Sequence, residues 1–362
     1  MKPENHTIKT ALISVSDKTG IVEFAQNLAV LGITIYSTGG TATLLKNNGI
    51  DAKSISELTG FPEILDGRVK TLHPTIHGGL LACLDKEDHI KQMMEHNISS
   101  IDLLIVNLYP FEETLKKSDD HEELIENIDI GGPTMLRSAA KNYKWTVPVV
   151  NPIDYDKILE KLKSNENKIP EDVRLELAGS VFMHTAYYDG IISQYMMKCN
   201  KIEVPEEFGI PLKISQKLRY GENPHQKASL YGNFFDIFKQ LHGKELSYNN
   251  ILDIDSASKL ILEFESNEPA LAIIKHTNPC GVALGNDLTD AYEKAFATDT
   301  VSAFGGIIVV NKKIDKKTAE TIHSIFTEVI IAPEYTQNAL DILMKKKDRS
   351  EERRVGKECR SR

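Results

Sequence analysis

The sequence predicts an α/β protein, built from an N-terminal parallel sheet wound with helices and a second α/β segment behind it. Three observations carry this. Short apolar runs of strand length alternate with stretches of helical period, at a spacing of about 25 residues near the N-terminus. The strand runs are apolar almost throughout, as buried strands are. Turns rich in glycine, hydroxyls and charge follow several of them.

The elements follow in order. Residues 10–15, TALISV, read as a buried strand, and Ser16-Asp17-Lys18-Thr19-Gly20 as the turn after it. Ile21, Phe24, Ala25, Leu28 and Leu31 then recur at helical spacing, and Gly32 ends that helix. A strand over 33–36 leads into STGGT and a short helix through Leu44 and Leu45. Residues 101–106 form another buried strand, followed by NLYPF. Residues 122–128 read as helical, and Pro133 sits in the first turn of a helix running through Leu136 to Lys141. Polar residues and two prolines break the pattern at 200–212, so the domains are set at 1–205 and 206–348. Apolar strands at 270–274 and 306–310 mark the second segment. The last fourteen residues, RSEERRVGKECRSR, hold six cations, three acids and one large aliphatic residue. They carry no element signal and are read as a foreign or frameshifted tail over 349–362.

Composition narrows the function. A chain of 362 residues is long enough for two domains. With 41% apolar and 26% charged residues it has the make-up of an ordinary soluble protein. A net charge of −9 argues against a general nucleic-acid binder. Cys83, Cys199, Cys280 and Cys359 form no CxxC pair, which fits a reducing cytoplasm and speaks against a disulfide framework. The polar N-terminus has no signal-peptide core, and no run approaches the roughly 20 apolar residues of a membrane span.

The chemistry-bearing segments fall where strands of an open α/β sheet end, which is where such sheets bind ligands. Thr38-Gly39-Gly40-Thr41 offers close backbone approach, hydroxyls and a helix N-terminus. It reads as a phosphate cradle or as a plain strand-to-helix turn with a threonine cap. It is neither a Walker loop nor a GxGxxG fingerprint. In GRVKTLHPTIHGG, His73 and His77 are spaced as helical metal ligands. Pro74 and Gly78-Gly79 argue against a regular helix there, and no third ligand is near. Arg68 and Lys70, alternating in an extended segment, could face an anion or a developing oxyanion. Alternatively the loop is structural and its histidines cap backbone groups. Arg137 and Lys141 share a helix face that could be merely solvated. Asp129 could be only an N-terminal charge, and Tyr109 a core aromatic. Lys275-His276 suits proton abstraction from a weak amine nucleophile, or is a tight turn whose histidine is satisfied by backbone.

Taken together, SVSDKTG, STGGT, ELTGFPEILDGRVKTLHPTIHGG, NLYPF, IDIGGPTMLRSAAKNY, RYGENPHQ, KHTNPCG and SAFGG resemble, in order, the bifunctional purine biosynthesis family. That family joins phosphoribosylaminoimidazolecarboxamide formyltransferase to inosinate cyclohydrolase, and the match runs from about Thr10 to about Lys346. The resemblance implies a methylglyoxal-synthase-like first domain and an incomplete, cytidine-deaminase-like second one. It also implies two reactions. A formyl group passes from 10-formyltetrahydrofolate, the only cofactor-like molecule, to the aminoimidazole carboxamide ribotide (AICAR). The formamido product (FAICAR) then closes to inosine monophosphate (IMP) with loss of water and without a metal.

The family's residues carry over motif by motif. Ser16, Asp17, Lys18, Thr38 to Thr41, Arg68, Val69, Thr71, Val106, Asn107 and Ile130 would surround the nucleotide of the first domain. Lys70, Tyr109, Asp129 and Lys141 would be its catalytic group. In the second domain Arg219, Tyr220, Gly305 and Glu328 would hold substrate, and Lys275 and His276 would carry formyl transfer. The implied partners are small molecules, neither nucleic acid nor membrane, and the implied assembly is a cytoplasmic homodimer. Family members run on well past Lys347. Cyclisation alone is therefore expected of this chain, with the second sheet lacking a covering layer. The other readings are a non-catalytic nucleotide-sensing module and methylglyoxal synthase itself. The first has no need of the Lys70, Tyr109, Asp129 and Lys141 set, and the second leaves residues 205–347 unexplained.

Overall fold

The structure, a computed structural model, describes residues 3–264 and 267–346, and residues 350–354 as backbone. It divides into two compact units, Met1–Pro211 and Leu212–Arg362. Among the described residues no helix is long and apolar enough to cross a membrane.

In the first unit, β1 (Thr10–Val15), α1 (Ile21–Val30), β2 (Thr34–Ser37), α2 (Gly39–Asn47), β3 (Ala52–Ser54) and α3 (Ile55–Thr59) follow in turn. After them come α4 (Pro74–Leu81), α5 (Glu87–Glu95), β4 (Leu103–Asn107), α6 (Phe111–Lys117), α7 (His121–Glu126) and α8 (Gly131–Lys141). The unit closes with β5 (Val147–Val149), α9 (Tyr155–Ser164) and the 29-residue α10 (Glu171–Cys199). The five strands pair in parallel in the order β3-β2-β1-β4-β5. Alternate residues of each strand feed opposite cores. Ala11, Ile13, Leu103 and Ile105 pack with α1 and α9, whereas Leu12, Leu104 and Val106 pack with α4, α8 and α10.

Two local expectations fail here. The segment over 74–81 is a helix despite Pro74 and Gly78-Gly79. Proline occupies its first turn, where no amide bond is lost, and the His73 ring accepts from Thr75 N at 3.2 Å as its N-cap. The glycines serve packing. A Cβ on Gly79 would lie 2.5 Å from Ser99 O, and one on Gly78 2.9 Å from Ile98. Second, Arg68 and Lys70 do not alternate along an extended segment. Residues 64–69 form a tight turn, closed by the Ile64–Val69 bridge, with Leu65, Asp66 and Gly67 all at positive φ.

The second unit opens with a hairpin of β6 (Ile214–Lys217) and β7 (Ser229–Tyr231), paired apart from the main sheet. Then follow α11 (Phe234–Ile237), β8 (Phe238–His242), α12 (Tyr248–Leu262), β9 (Ala270–Lys275), β10 (Asn278–Leu284) and α13 (Leu288–Thr298). The chain continues through β11 (Ile307–Val310), α14 (Lys316–His323), β12 (Val329–Ala332), α15 (Gln337–Leu343) and β13 (Ser350–Arg354). The mixed sheet runs β10-β9-β11-β12-β13-β8.

The expectation of an uncovered layer is overturned. Leu271, Ile273, Ile308 and Ile330 are buried against α13, α14 and α15. Ala272, Ile274, Val309 and Ile331 are buried against α12 on the other face. The tail was expected to carry no element, yet residues 350–354 pair with both β12 and β8. Neighbouring strands impose extended backbone on a run whose composition gives no strand signal. Residues 349 and 355–362 of the expected tail, and residues 347–348 before it, lie outside the described residues.

Candidate active site

The strand order of the first sheet reverses between β1 and β4, and such a switch point opens a crevice at the carboxyl ends of the strands. A cavity of about 520 Å³ lies there, a size that suits a small ligand. The turn after β1 supplies Ser16 and Lys18, and after β2 come the α2 N-cap Thr38 and the first residues of α2, Gly39, Gly40 and Thr41. Asn107 ends β4 and Tyr109 follows it, Asp129 to Gly132 lead into α8, and Arg68, Lys70 and Thr71 come from the 61–73 loop.

One end of the cavity is an anion cradle. Thr38 stands at the N-cap of α2 without a side-chain cap bond, because its hydroxyl meets Ser14 Oγ at 2.8 Å. The first amides of α2 therefore keep the free donors that every helix N-terminus has. The Lys18 ammonium donates to Thr41 Oγ1 at 2.8 Å and to the Val15 carbonyl. Burial lowers the Lys18 pKa, and Asp17 partly offsets this. Asn107 Oδ1 ties the turn after β1 in place, accepting from Ser16 N at 2.6 Å and Asp17 N at 2.9 Å.

The opposite wall carries the groups suited to proton chemistry. Asp129 Oδ1 accepts from Gly132 N at 2.8 Å, and Asp129 N donates to the Tyr188 hydroxyl at 2.8 Å. Burial raises the Asp129 pKa above 3.8, outweighing its bonds to Gly132 and Tyr109 amides and the charge of Lys70. Little room is left for a side chain at positions 131 and 132. A Cβ on Gly131 would lie 2.5 Å from Thr71 Oγ1, and one on Gly132 2.5 Å from Asp129 Oδ2. Tyr109 and Ile130 stand at the open side, 43% and 59% exposed. The N-termini of α2 and α8 thus face one space together with Lys18, Lys70 and Arg68, an arrangement favouring an anionic ligand.

Four sequence-derived candidates do not line this cavity. Val106 is buried in β4, and Val69 is engaged in the bridge to Ile64. The Asp17 carboxylate turns to its own loop, accepting from Thr19 N and Oγ1 at 2.9 and 2.6 Å. Lys141 closes α8, about 15 Å from Gly131 at the helical rise. Its placement corrects the grouping with Lys70 and Asp129. His77 Nδ1 meets Ser138 Oγ at 3.0 Å, so that ring is packed between α4 and α8. Conversely, Ser14, Glu126 and Met135 line the cavity without having been singled out. Ser14 lay inside a strand run and Glu126 inside a helical one, where charged and hydroxyl residues pass for filler.

In the second unit one end of the sheet, where β9 stops and β11 and β12 begin, gathers a different set. Lys275 Nζ donates to Phe304 O at 2.8 Å, Gly305 (φ 74°) donates to Phe326 O at 2.9 Å, and Glu328 N donates to Gly306 O at 2.9 Å. The Glu328 carboxylate accepts from Asn250 Nδ2 at 2.7 Å. His276 and Thr277 form a two-residue hairpin loop between β9 and β10, both left-handed at φ 52° and 62°. Such loops ordinarily hold asparagine and glycine, so this one is strained. Asp253, not picked out by sequence, restrains it by accepting from Thr277 N at 2.6 Å. Arg219 lies over the Tyr220 ring, 5.7 Å from its centre, in the separate β6–β7 hairpin. Among the described residues no group of three or more His, Cys, Asp or Glu side chains is placed to hold a metal.

Residues 139–351, more than half of the chain, match the AICARFT/IMPCHase bienzyme family. The chain belongs to that family. An MGS-like domain matches residues 20–134, in agreement with the parallel first sheet. The bifunctional purine biosynthesis protein PurH of Bacillus cereus is 54% identical over 347 residues, which is 94% of this chain and 67% of that protein. The PurH of Bacillus mycoides gives the same figures. Among solved structures, the crystal structure of ForH is 36% identical, covering 52% of this chain and 98% of the other, with a TM-score of 0.47. Family membership accounts for both an MGS-like segment and a second α/β unit in one chain.

Proposed function

We propose that the first unit closes FAICAR to IMP, using the cavity at the carboxyl ends of its parallel strands. The observation that carries this reading is Asp129, a half-buried carboxyl of raised pKa that shares the cavity with Lys70 and faces an anion cradle. The cradle of Lys18, Thr41 and the α2 amides suits the ribotide phosphate. The reacting end of the ligand then extends toward Lys70, Tyr109 and Asp129.

Ring closure joins the carboxamide nitrogen to the formyl carbon, and the formyl oxygen takes up the electron pair. Lys70 stabilises that oxyanion, and the N-terminus of α8 adds its dipole. Asp129, as carboxylate, accepts the proton shed by the attacking nitrogen. A second proton leaves the formamido nitrogen as the C=N bond forms. Both protons end on the departing oxygen, which leaves as water, and Tyr109 is suited to deliver one of them. No role in this cavity is proposed for Lys141. A purely sensing module would need the cradle but not a half-buried carboxyl beside a lysine.

For the second unit the reading is narrower: we infer that Lys275 and His276 are the pair suited to formyl transfer from 10-formyltetrahydrofolate to AICAR, the contacts that hold their loop supporting this, while cyclisation remains the activity proposed for this chain. The cytoplasmic setting and the homodimer belong to the same reading and rest on family resemblance.

The pH dependence of cyclisation tests the first assignment. The Asp129 pKa is raised, so the working carboxylate is lost as pH falls through a value above 3.8. The acid limb of kcat/KM therefore lies above that of an ordinary aspartate. Asp129→Asn removes this limb and lowers turnover by about 10²-fold or more. An acid limb at or below pH 3.8, or wild-type turnover in Asp129→Asn, contradicts the assignment.

A further inference from the structure

Three acids line a cavity that two helix N-termini, Lys18 and Lys70 make favourable to anions: Asp66, Asp129 and Glu126. Glu126 is the one that grips a cation of the same lining. Glu126 is the last residue of α7, where a helix dipole disfavours a carboxylate. It has no part in capping α7, whose C-cap bonds are backbone to backbone. Its partner is Arg68. Arg68 Nε donates to Glu126 Oε1 at 3.3 Å, and a terminal guanidinium nitrogen donates to the other oxygen. This is the two-pronged geometry by which arginine grips carboxylates and phosphates alike. Both side chains are well exposed, at 66% and 60%, so the pair is weak and exchangeable. Arg68 also sits immediately after three left-handed residues, Leu65, Asp66 and Gly67, which hold its loop against the cavity in a fixed turn.

We propose that Glu126 is a displaceable stand-in for a ligand oxygen. In the free protein it fills the guanidinium fork of Arg68, and it yields when an oxygen of the bound nucleotide takes that fork. Glu126 is then a positioning residue, acting through Arg68. It keeps the guanidinium aimed across the mouth and sets a threshold that only an oxygen-rich ligand overcomes. The inference rests on the nucleotide-binding reading given above.

A double-mutant cycle read by titration calorimetry with inosinate tests it. Glu126→Gln is expected to tighten inosinate about two- to fivefold, the range open to an exposed ion pair. Arg68→Gln weakens it about tenfold or more. In the Arg68→Gln background, Glu126→Gln brings no gain, because the fork it would have freed is gone. Inosine, which lacks the phosphate, shows the same gain if Arg68 takes a base oxygen and none if it takes the phosphate. In the cyclisation assay Glu126→Gln lowers KM and leaves kcat unchanged. Unchanged or weaker inosinate binding in Glu126→Gln overturns the proposal, as does an equal gain without Arg68 or a fall in kcat. If wild type binds inosinate and the cycle shows no coupling, only the stand-in role fails. If no protein in the cycle binds inosinate, the nucleotide reading fails and takes this proposal with it.

Discussion

Lys70→Ala lowers the turnover of FAICAR by about 10²- to 10³-fold, the loss typical of removing a positioned donor to an oxyanion. Lys70 is half-buried, stands on the same wall as Asp129 and contributes to its electrostatics. Its loss leaves the cradle of Lys18 and Thr41 intact, so the fall is in kcat more than in affinity. His77 is the matched control from the same loop-and-helix segment. Its ring is held by Ser138 outside the cavity, and burial lowers its pKa, so it is neutral at pH 7. His77→Ala costs packing but leaves turnover within a fewfold of wild type. Steady-state kinetics on samples with matching circular dichroism decide the point. Equal, large losses in both well-folded variants contradict the division of roles.

Arg174→Met destabilises the first unit by about 3–5 kcal/mol, the cost of leaving buried carbonyls without their charged donor. Arg174 is 1% exposed, and its guanidinium donates to the carbonyls of Ile169, Lys144 and His6. The His6 ring in turn meets Asp102 Oδ1 at 3.0 Å, and Asp102 Oδ2 accepts from Lys9 N, Thr10 N and Thr10 Oγ1. This network pins the starts of β1 and β4 at the end of the sheet opposite the cavity. Methionine replaces the packing but leaves the buried carbonyls of Ile169 and His6, and that of Lys144, without this donor. Burial, the largest single influence on Asp102, raises its pKa, but the bonds from His6, Lys9 and the neighbouring groups outweigh it and the net shift is downward. The stability Asp102 contributes is thus complete above about pH 3.8 and is lost as pH falls through its depressed value. Urea melts at pH 7 and pH 3 measure both effects. An Arg174→Met protein as stable as wild type, or an acid limb that survives in Asp102→Asn, contradicts this account.

The strands and the site loops were legible in the sequence for one physical reason. Buried parallel strands are apolar runs, and the residues at and just past their carboxyl ends, not needed to fill the core, are polar: Ser16, Lys18, Thr38 and Asn107. What was not legible depends on contacts between distant segments. Gly78 and Gly79 looked like helix breakers because nothing local announces the Ser99 carbonyl and Ile98 side chain that demand them. Glu126 and Ser14 face the cavity only because the topology brings α7 and β1 to its rim. Residues 350–354 gain their strand from β12 and β8 rather than from their own composition. Lys141 is the opposite case. The helix through Leu136 to Lys141 was readable, and its length alone sets Lys141 a long way from Asp129.

The central claim is that the cavity of the first unit performs the ring closure by itself. The most direct test is to give purified chain FAICAR in the presence of a chelator, with no folate, and to follow inosinate by absorbance. The account predicts repeated turnover at a rate independent of added formyl donor or divalent metal. No inosinate above the uncatalysed rate, or product that forms only when 10-formyltetrahydrofolate is supplied, contradicts it.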